Sequence, residues 1–211
     1  MYRIITIERE YGCGAAEIAA AIAQRLGWKL WDQALTEEIA KVAEVDSSAV
    51  ANCDERRDTR FHRLAKIFWR GSYEHSIALG GHEPFDTDRF VAITKEVMQK
   101  VARAGNCVIV GRGAPYFLRE EPDALHVFLY ASRAEKLRRL RPSGMPGDKV
   151  LELLDTVDRD RIEFVRHYFN ADWPTRCLYH LMLNTAVGDE NVIRTIFTAK
   201  QTLEGTPSTT A

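Results

Sequence analysis

The first twenty-seven residues constrain the fold more than any other stretch. Residues 3–8 (Arg-Ile-Ile-Thr-Ile-Glu) are few, β-branched and closed by a glycine-containing loop, which predicts a buried strand. Gly12-Cys-Gly14 follows, and then Ala-Ala-Glu-Ile-Ala-Ala-Ala-Ile-Ala-Gln-Arg-Leu up to Gly27. Its alanines favour helix, Ile18, Ile22 and Leu26 share one face, and Gly27 suits the left-handed residue that ends a helix. The chain therefore opens as strand, glycine loop, helix.

The same alternation continues. Residues 28–31 predict a second strand with Asp32 just beyond it, and residues 34–104 read as helical, broken at Gly71 and around Gly80-Gly81. Val108–Gly111 and 124–130 predict the third and fourth strands, and a basic helix runs from Ser132 to Arg141. After the turn-rich Pro142–Gly147 come a charged helix over 148–169, a fifth strand over 178–184 and a last helix over 189–203. Gly205–Ala211 is a small polar tail expected to fray. Strands joined by helices imply an α/β fold: a parallel sheet covered on both faces, with ligands beyond the carboxyl ends of its strands. Glu8–Gly14, Asp32, Gly111–Gly113 and Asn184-Thr185 all fall at those ends.

Composition narrows the function. With 211 residues, 45% hydrophobic and 28% charged, the chain is ordinary globular protein rather than disordered or low-complexity sequence. Lys and Arg number 29 against 30 Asp and Glu, so no overall charge draws it to nucleic acid or to an anionic membrane. The four cysteines (Cys13, Cys53, Cys107, Cys177) have no zinc or disulfide spacing, the six histidines no metal spacing, and no segment is apolar enough for a signal peptide or a span. A cytoplasmic protein is expected, with no nucleic-acid or membrane partner.

Gly12-Cys-Gly14, between strand and helix, is placed to hold an anion on the backbone amides of the helix start. The strict triphosphate motif G-x-x-x-x-G-K-[ST] is not met. Aligned on Gly14, Arg9 stands in the first glycine slot, Ala15 in the lysine slot and Ala16 in the Ser/Thr slot.

Five segments in chain order resemble the cytidylate-kinase-like family of P-loop proteins: Ile5-Thr-Ile-Glu-Arg-Glu-Tyr-Gly-Cys-Gly-Ala-Ala-Glu-Ile-Ala19, Leu26-Gly-Trp-Lys-Leu-Trp-Asp32, Cys107-Val-Ile-Val-Gly-Arg-Gly-Ala114, Leu125-His-Val-Phe-Leu-Tyr-Ala131 and Tyr179-His-Leu-Met-Leu-Asn-Thr185. The resemblance implies a three-layer P-loop domain of nucleoside-monophosphate-kinase type over residues 1–204. A five-stranded parallel sheet would carry a helical substrate insert (about 34–104) and a lid (about 141–177). It implies an ATP-dependent kinase, with or without magnesium, acting on a nucleoside monophosphate or other small acceptor; a homodimer is compatible with it. Family members usually carry an Arg just after the loop glycines, where this chain has Ala16.

By the same resemblance, Tyr11, Gly12, Cys13, Gly14, Ala15, Ala16 and Glu17 would bind the nucleotide, and Asp32, Arg112 and Arg166 the acceptor. Arg112, Arg9 and Arg159 would be the catalytic cations. Arg112, between two glycines at a strand end, is the strongest of these on its own chemistry, because a planar guanidinium there grips a phosphate through two hydrogen bonds. Arg159 and Arg166, seven apart in a stretch resembling the Asp-Arg-Asp-Arg of cytidylate kinase lids, share a helix face. The spacings Asp158–Arg161 and Arg159–Glu163 also suit a salt-bridged surface. Glu38 stands where cytidylate kinases proper place a substrate-binding Arg, which argues against CMP. Glu8 or Glu10 could act on magnesium through water. Trp69, Phe61 and Leu64 read as core of the insert. Two alternatives stand beside a kinase: a nucleotide-binding pseudokinase that has lost turnover through Ala15 and Ala16, and a dimeric interaction module built on residues 58–104.

Overall fold

The computed structural model describes residues 1–42 and 87–205. Most of the insert, including Phe61, Leu64 and Trp69, and the last six residues of the tail lie outside the described residues.

Strands β1 (Ile4–Arg9), β2 (Lys29–Trp31), β3 (Cys107–Val110), β4 (Ala124–Tyr130) and β5 (Leu181–Asn184) form one parallel sheet in the order β2-β3-β1-β4-β5. The helices are α1 (Ala15–Leu26), α2 (Gln33–Val42), α3 (Thr87–Ala104), α4 (Ala114–Phe117), α5 (Arg133–Leu140), α6 (Gly147–Phe169) and α7 (Asp189–Gly205). The expected five-stranded parallel sheet is present. The fifth strand starts later than residue 178 because Arg176–Leu178 close a short 3-10 turn, with the Leu178 and Tyr179 amides bonded back to Thr175 and Arg176. Sheet pairing resumes at the His180 amide, which donates to the His126 carbonyl at 2.9 Å.

Period-two alternation in the strands feeds two cores. Ile5, Ile7, Val108, Val110, Leu125 and Val127 face α1 and α7, meeting Ile18, Ile22, Val192 and Ile196. Ile4, Cys107, Ile109 and Ala124 face the other way, against Leu35, Met98, Leu118 and Phe164. β1, β3 and most of β4 are buried on both faces, hence their unbroken apolar runs. Gly27 ends α1 at φ +64°, where the Trp28 amide bonds back to Ala23. Ser132 caps α5 by accepting from the Glu135 amide, the first half of a capping box. A third, smaller cluster (Leu140, Val150, Leu154) packs with Tyr11, Leu137 and Met145 and ties α5 and α6 to the loop after β1.

One polar pair sits inside the sheet. Thr6 and His126 are register partners on β1 and β4, and Thr6 Oγ1 meets His126 Nδ1 at 2.7 Å. The His126 amide also donates to His180 Nδ1 at 3.0 Å. Burial lowers the His126 pKa from 6.5 to about 4, the His180 ring adds to this, and a hydrogen bond with the Leu118 backbone opposes it. His180, less buried, is shifted the same way. The unfolded chain therefore binds more protons than the fold between pH 6.5 and 4. Stability from this site is complete above pH 6.5 and drains away as pH falls, by at most about 3 kcal/mol. Urea midpoints of wild type and His126→Gln, measured from pH 7.5 to 4.5, should diverge in slope, the wild type falling more steeply. Parallel curves would place the titration elsewhere.

Candidate active site

Strand lengths decide what reaches the carboxyl edge of the sheet. Ile7 pairs with Val110, the last residue of β3, but β1 continues through Glu8 and Arg9, whose further partners are Phe128 and Leu129 of β4. β2 stops at Trp31, opposite Ile109, so Asp32 lies just past its end. Three strand ends thus deliver Glu8 and Arg9, Asp32, and Gly111-Arg112-Gly113 to one place.

Gly111, Arg112 and Gly113 have φ of +65°, +56° and +67°, three left-handed residues in a row. The flanking glycines adopt this freely, while Arg112 costs roughly 1 kcal/mol or more, since its Cβ crowds the carbonyl. The turn seats Arg112 in the interior with Nη2 4.0 Å from Asp32 Oδ1. Arg9 lies across the open side of Gly111: a Cβ there would strike Arg9 Nη1 and come within 2.7 Å of Cζ. Glu8 Oε1 is 3.5 Å from Arg9 Nη1, and Arg161 Nη1 donates to the Arg9 carbonyl at 2.8 Å. Glu8, Arg9, Asp32 and Arg112 are all buried.

Charge inside this cluster is unevenly balanced. Burial lowers the Arg112 pKa to about 10; Asp32 and Glu8 oppose that and Arg9 and Arg161 reinforce it. Arg9 is lowered by burial and then by Arg161, against Glu8 and Asp32. Both guanidiniums remain cations at neutral pH, and each is made less comfortable by the other arginines. An anion placed among them relieves both. Asp32 Oδ1 is buried without a hydrogen bond among the described residues, so an acceptor position is open beside the cations.

The glycine loop lies next door. Gly12 (φ +75°) and Gly14 (φ +81°) are left-handed, and Gly14 caps α1 without a side-chain bond to the helix amides. Ala15 is buried within the α1-side core, Ala16 is half-buried and Glu17 exposed. Cys13 is buried, its Sγ 3.6 Å from the Leu129 carbonyl, and burial raises its pKa to about 11; it is a neutral filler. The cations that positions 15 and 16 lack stand on neighbouring helices. α5 lies across the loop, with Leu140 against Gly12 and the Arg139 guanidinium against Gly14. Lys136 pairs with Glu10 at 2.9 Å and Asp158 at 3.3 Å. Arg139 pairs with Asp189 at 2.6 Å and Glu135 at 2.9 Å, and donates to the Thr185 carbonyl at 3.0 Å.

The structure thus brings Arg9, Arg112 and Asp32 together beside Tyr11–Glu17. Arg159 and Arg166 are exposed on α6. The member of the Asp-Arg-Asp-Arg stretch that reaches the cluster is Arg161, which sequence reasoning passed over. Its signal was the apolar spacing Leu154, Val157, Phe164, Val165, which puts position 161 on the inward face. Lys136 and Arg139 belong to the basic helix expected over Ser132–Arg141; their spacing beside Leu137 and Leu140 marks them as loop-facing. Glu38 bridges α2 to Lys100 of α3 at 3.4 Å. Among the described residues no three His, Cys, Asp or Glu are grouped to hold a metal, and no helix is long and apolar enough to cross a membrane.

Comparison with known proteins concerns the family and the fold. The cytidylate kinase-like family description matches residues 4–187. An uncharacterized protein from Eubacterium ventriosum superposes with a TM-score of 0.66 at 17% identity, over 94% of this chain and 98% of that one. Shikimate kinase from Bacteroides thetaiotaomicron gives 0.52 at 17% identity over 95% and 98%. Shikimate kinase from Acinetobacter baumannii, in complex with shikimate, gives 0.54 at 13% identity over 98% and 97%. At these identities the likeness concerns the fold, which is that of P-loop kinases. No curated protein matches the chain.

The seat of Arg9 can be tested by adding one methyl group. Gly111→Ala forces a Cβ into the guanidinium at φ +65°, whereas Gly27→Ala imposes nearly the same backbone, φ +64°, with nothing within 4 Å. Both should lose the left-handed cost of roughly 1–2 kcal/mol in urea unfolding. Gly111→Ala should lose more, and the excess measures the Arg9 contact. Equal losses would mean that Arg9 is not held against Gly111.

Proposed function

This chain belongs to the cytidylate kinase-like family, and from that premise we propose that it transfers the terminal phosphoryl group of ATP to a small acceptor bearing an anionic group and a hydroxyl. The observation that carries the reading is the buried Arg112 facing Asp32 at the sheet edge, with the buried Arg9 at the end of the neighbouring strand, beside a glycine loop that opens a helix. Two guanidiniums in a water-poor site, only partly neutralised by Glu8 and Asp32, suit a phosphate or carboxylate on the acceptor. Asp32, with one oxygen left to accept, suits an acceptor hydroxyl: it would orient that group and take its proton as the oxygen attacks phosphorus. On the donor side, the uncapped amides of α1 and the left-handed glycines at 12 and 14 match a polyphosphate in shape and charge. ATP brings the transferable group; Arg139, Lys136 and Arg161 are the cations nearest to offset charge on it. Ala16 offers no hydroxyl to magnesium, so no step is assigned to a metal held by the protein.

A second reading, a nucleotide-binding protein without turnover, is favoured by one observation: the loop-side cations Lys136 and Arg139 are already paired with carboxylates. ADP release from MgATP separates the two. It should rise on adding an acceptor from a panel of nucleoside monophosphates, sugar phosphates and hydroxy acids. Arg112→Ala should reduce kcat/KM for that acceptor by about ten- to a hundredfold while ATP affinity stays near wild type. ATP binding with no acceptor-stimulated release across the panel would support the second reading instead.

A further inference from the structure

We propose that Asp158 is a built-in stand-in for a donor phosphate: its carboxylate occupies an anion position at the glycine loop and must leave before a nucleotide's phosphates can settle there. The proposal rests on the reading of the loop as the donor site. Asp158 Oδ1 accepts from the Tyr11 backbone amide at 2.8 Å and from Arg161 Nη1 at 2.9 Å. Its other oxygen accepts from Lys136 Nζ at 3.3 Å. One loop amide and two cations around a single carboxylate, with 17% of that side chain exposed, is the donor set a phosphate seeks at the start of a P-loop helix.

Packing holds the carboxylate in place as much as charge does. Leu140, Val150 and Leu154, with Tyr11, Leu137 and Met145, bind α5 and α6 onto the loop, so Asp158 is presented whether or not its partners need it. An acid one turn before it shows the contrast. Asp155, on the same helix, pairs with the exposed Arg133 of α5. The neighbouring cation follows the same pattern, since Arg139 against Gly14 is held by Asp189 and Glu135. With the donor absent, the loop's surroundings are thus neutralised from within. A polyphosphate must exchange with Asp158, taking over the Tyr11 amide, Arg161 and Lys136, and the carboxylate must move out with α6. Asp158 accordingly lowers nucleotide affinity and keeps the loop covered between turnovers.

Titration of wild type, Asp158→Asn and Asp155→Asn with MgATP and with tripolyphosphate tests this. Asp158→Asn keeps an oxygen for the Tyr11 amide but drops the charge, so both probes should bind about ten- to a hundredfold more tightly than to wild type. Asp155→Asn makes the same charge change on the surface and should stay within about twofold. Asp158→Asn should melt below wild type when free and close that gap at saturating tripolyphosphate, because binding to the fold is linked to its stability. In wild type itself, the Asp158 carboxylate carbon resonance should move as tripolyphosphate is added. Equal or weaker binding by Asp158→Asn, or a resonance unmoved at saturation, overturns the proposal and leaves the kinase reading standing. If no polyphosphate binds to any of the three proteins, the donor-site reading falls and the proposal falls with it.

Discussion

Burying two arginines behind the ends of β1 and β3 is the constraint that the rest of the site answers. A guanidinium cannot shed its charge near neutral pH, so each one taken out of water needs acids and acceptors around it. That requirement accounts for Glu8 at the end of β1 and Asp32 just past β2, neither of which an apolar sheet edge would otherwise tolerate. It accounts for β1 outrunning β3, which opens the side on which Arg9 lies. It also accounts for glycine at 111, since any side chain there would meet the Arg9 guanidinium. Arg112 accepts a left-handed backbone for the same reason: the turn that strains it is the turn that reaches Asp32.

Helix α6 links this edge to the donor loop. Asp158 and Arg161 meet the chain between Arg9 and Tyr11, while Phe164 and Phe169, further along the same helix, pack on Gly113 and stack with Tyr116. A continuous helix is stiff, with about 1.5 Å of rise per residue, so a shift at one contact is carried to the other rather than absorbed between them. The aromatic end has more area to lose and the charged end more to gain from a ligand.

The centre of the sheet was legible because β1, β3 and most of β4 are buried on both faces, leaving unbroken apolar runs, and glycines follow β1 and β3. The loop glycines, Asp32 and Arg112 were legible from position alone, since a parallel sheet sends ligands to its carboxyl edge. Orientation within charged helices was not. Arg159 and Arg166 share a face by spacing, but that face turns outward because Leu154, Val157 and Phe164 claim the inner one, and Arg161 goes inward with them. Counting charges in Ser132–Arg141 likewise could not show that Lys136 and Arg139 lie on the loop while Arg138 and Arg141 face solvent. Charge pairing looks alike in sequence on either side of a helix; only the apolar residues between the charges reveal the side.

Loss of the loop cation now has a physical account. Ala15 is buried in the apolar cluster on the α1 side of the sheet, a setting that suits a methyl group and penalises an ammonium. The positive charge has instead been placed on α5 and α6, which sit over the loop rather than in it. A lysine inside a loop is preorganised and always present, so it favours donor binding in every state of the protein. Cations on covering helices are different: here Lys136 is paired with Glu10 and Asp158, and Arg139 with Glu135 and Asp189. Each must trade a carboxylate for a phosphate oxygen. Coulomb attraction to a polyphosphate exceeds that to a single carboxylate, but only the difference contributes to binding. On the proposed reading, the fold keeps the charge that phosphoryl transfer calls for while giving up part of the affinity a fixed lysine would supply.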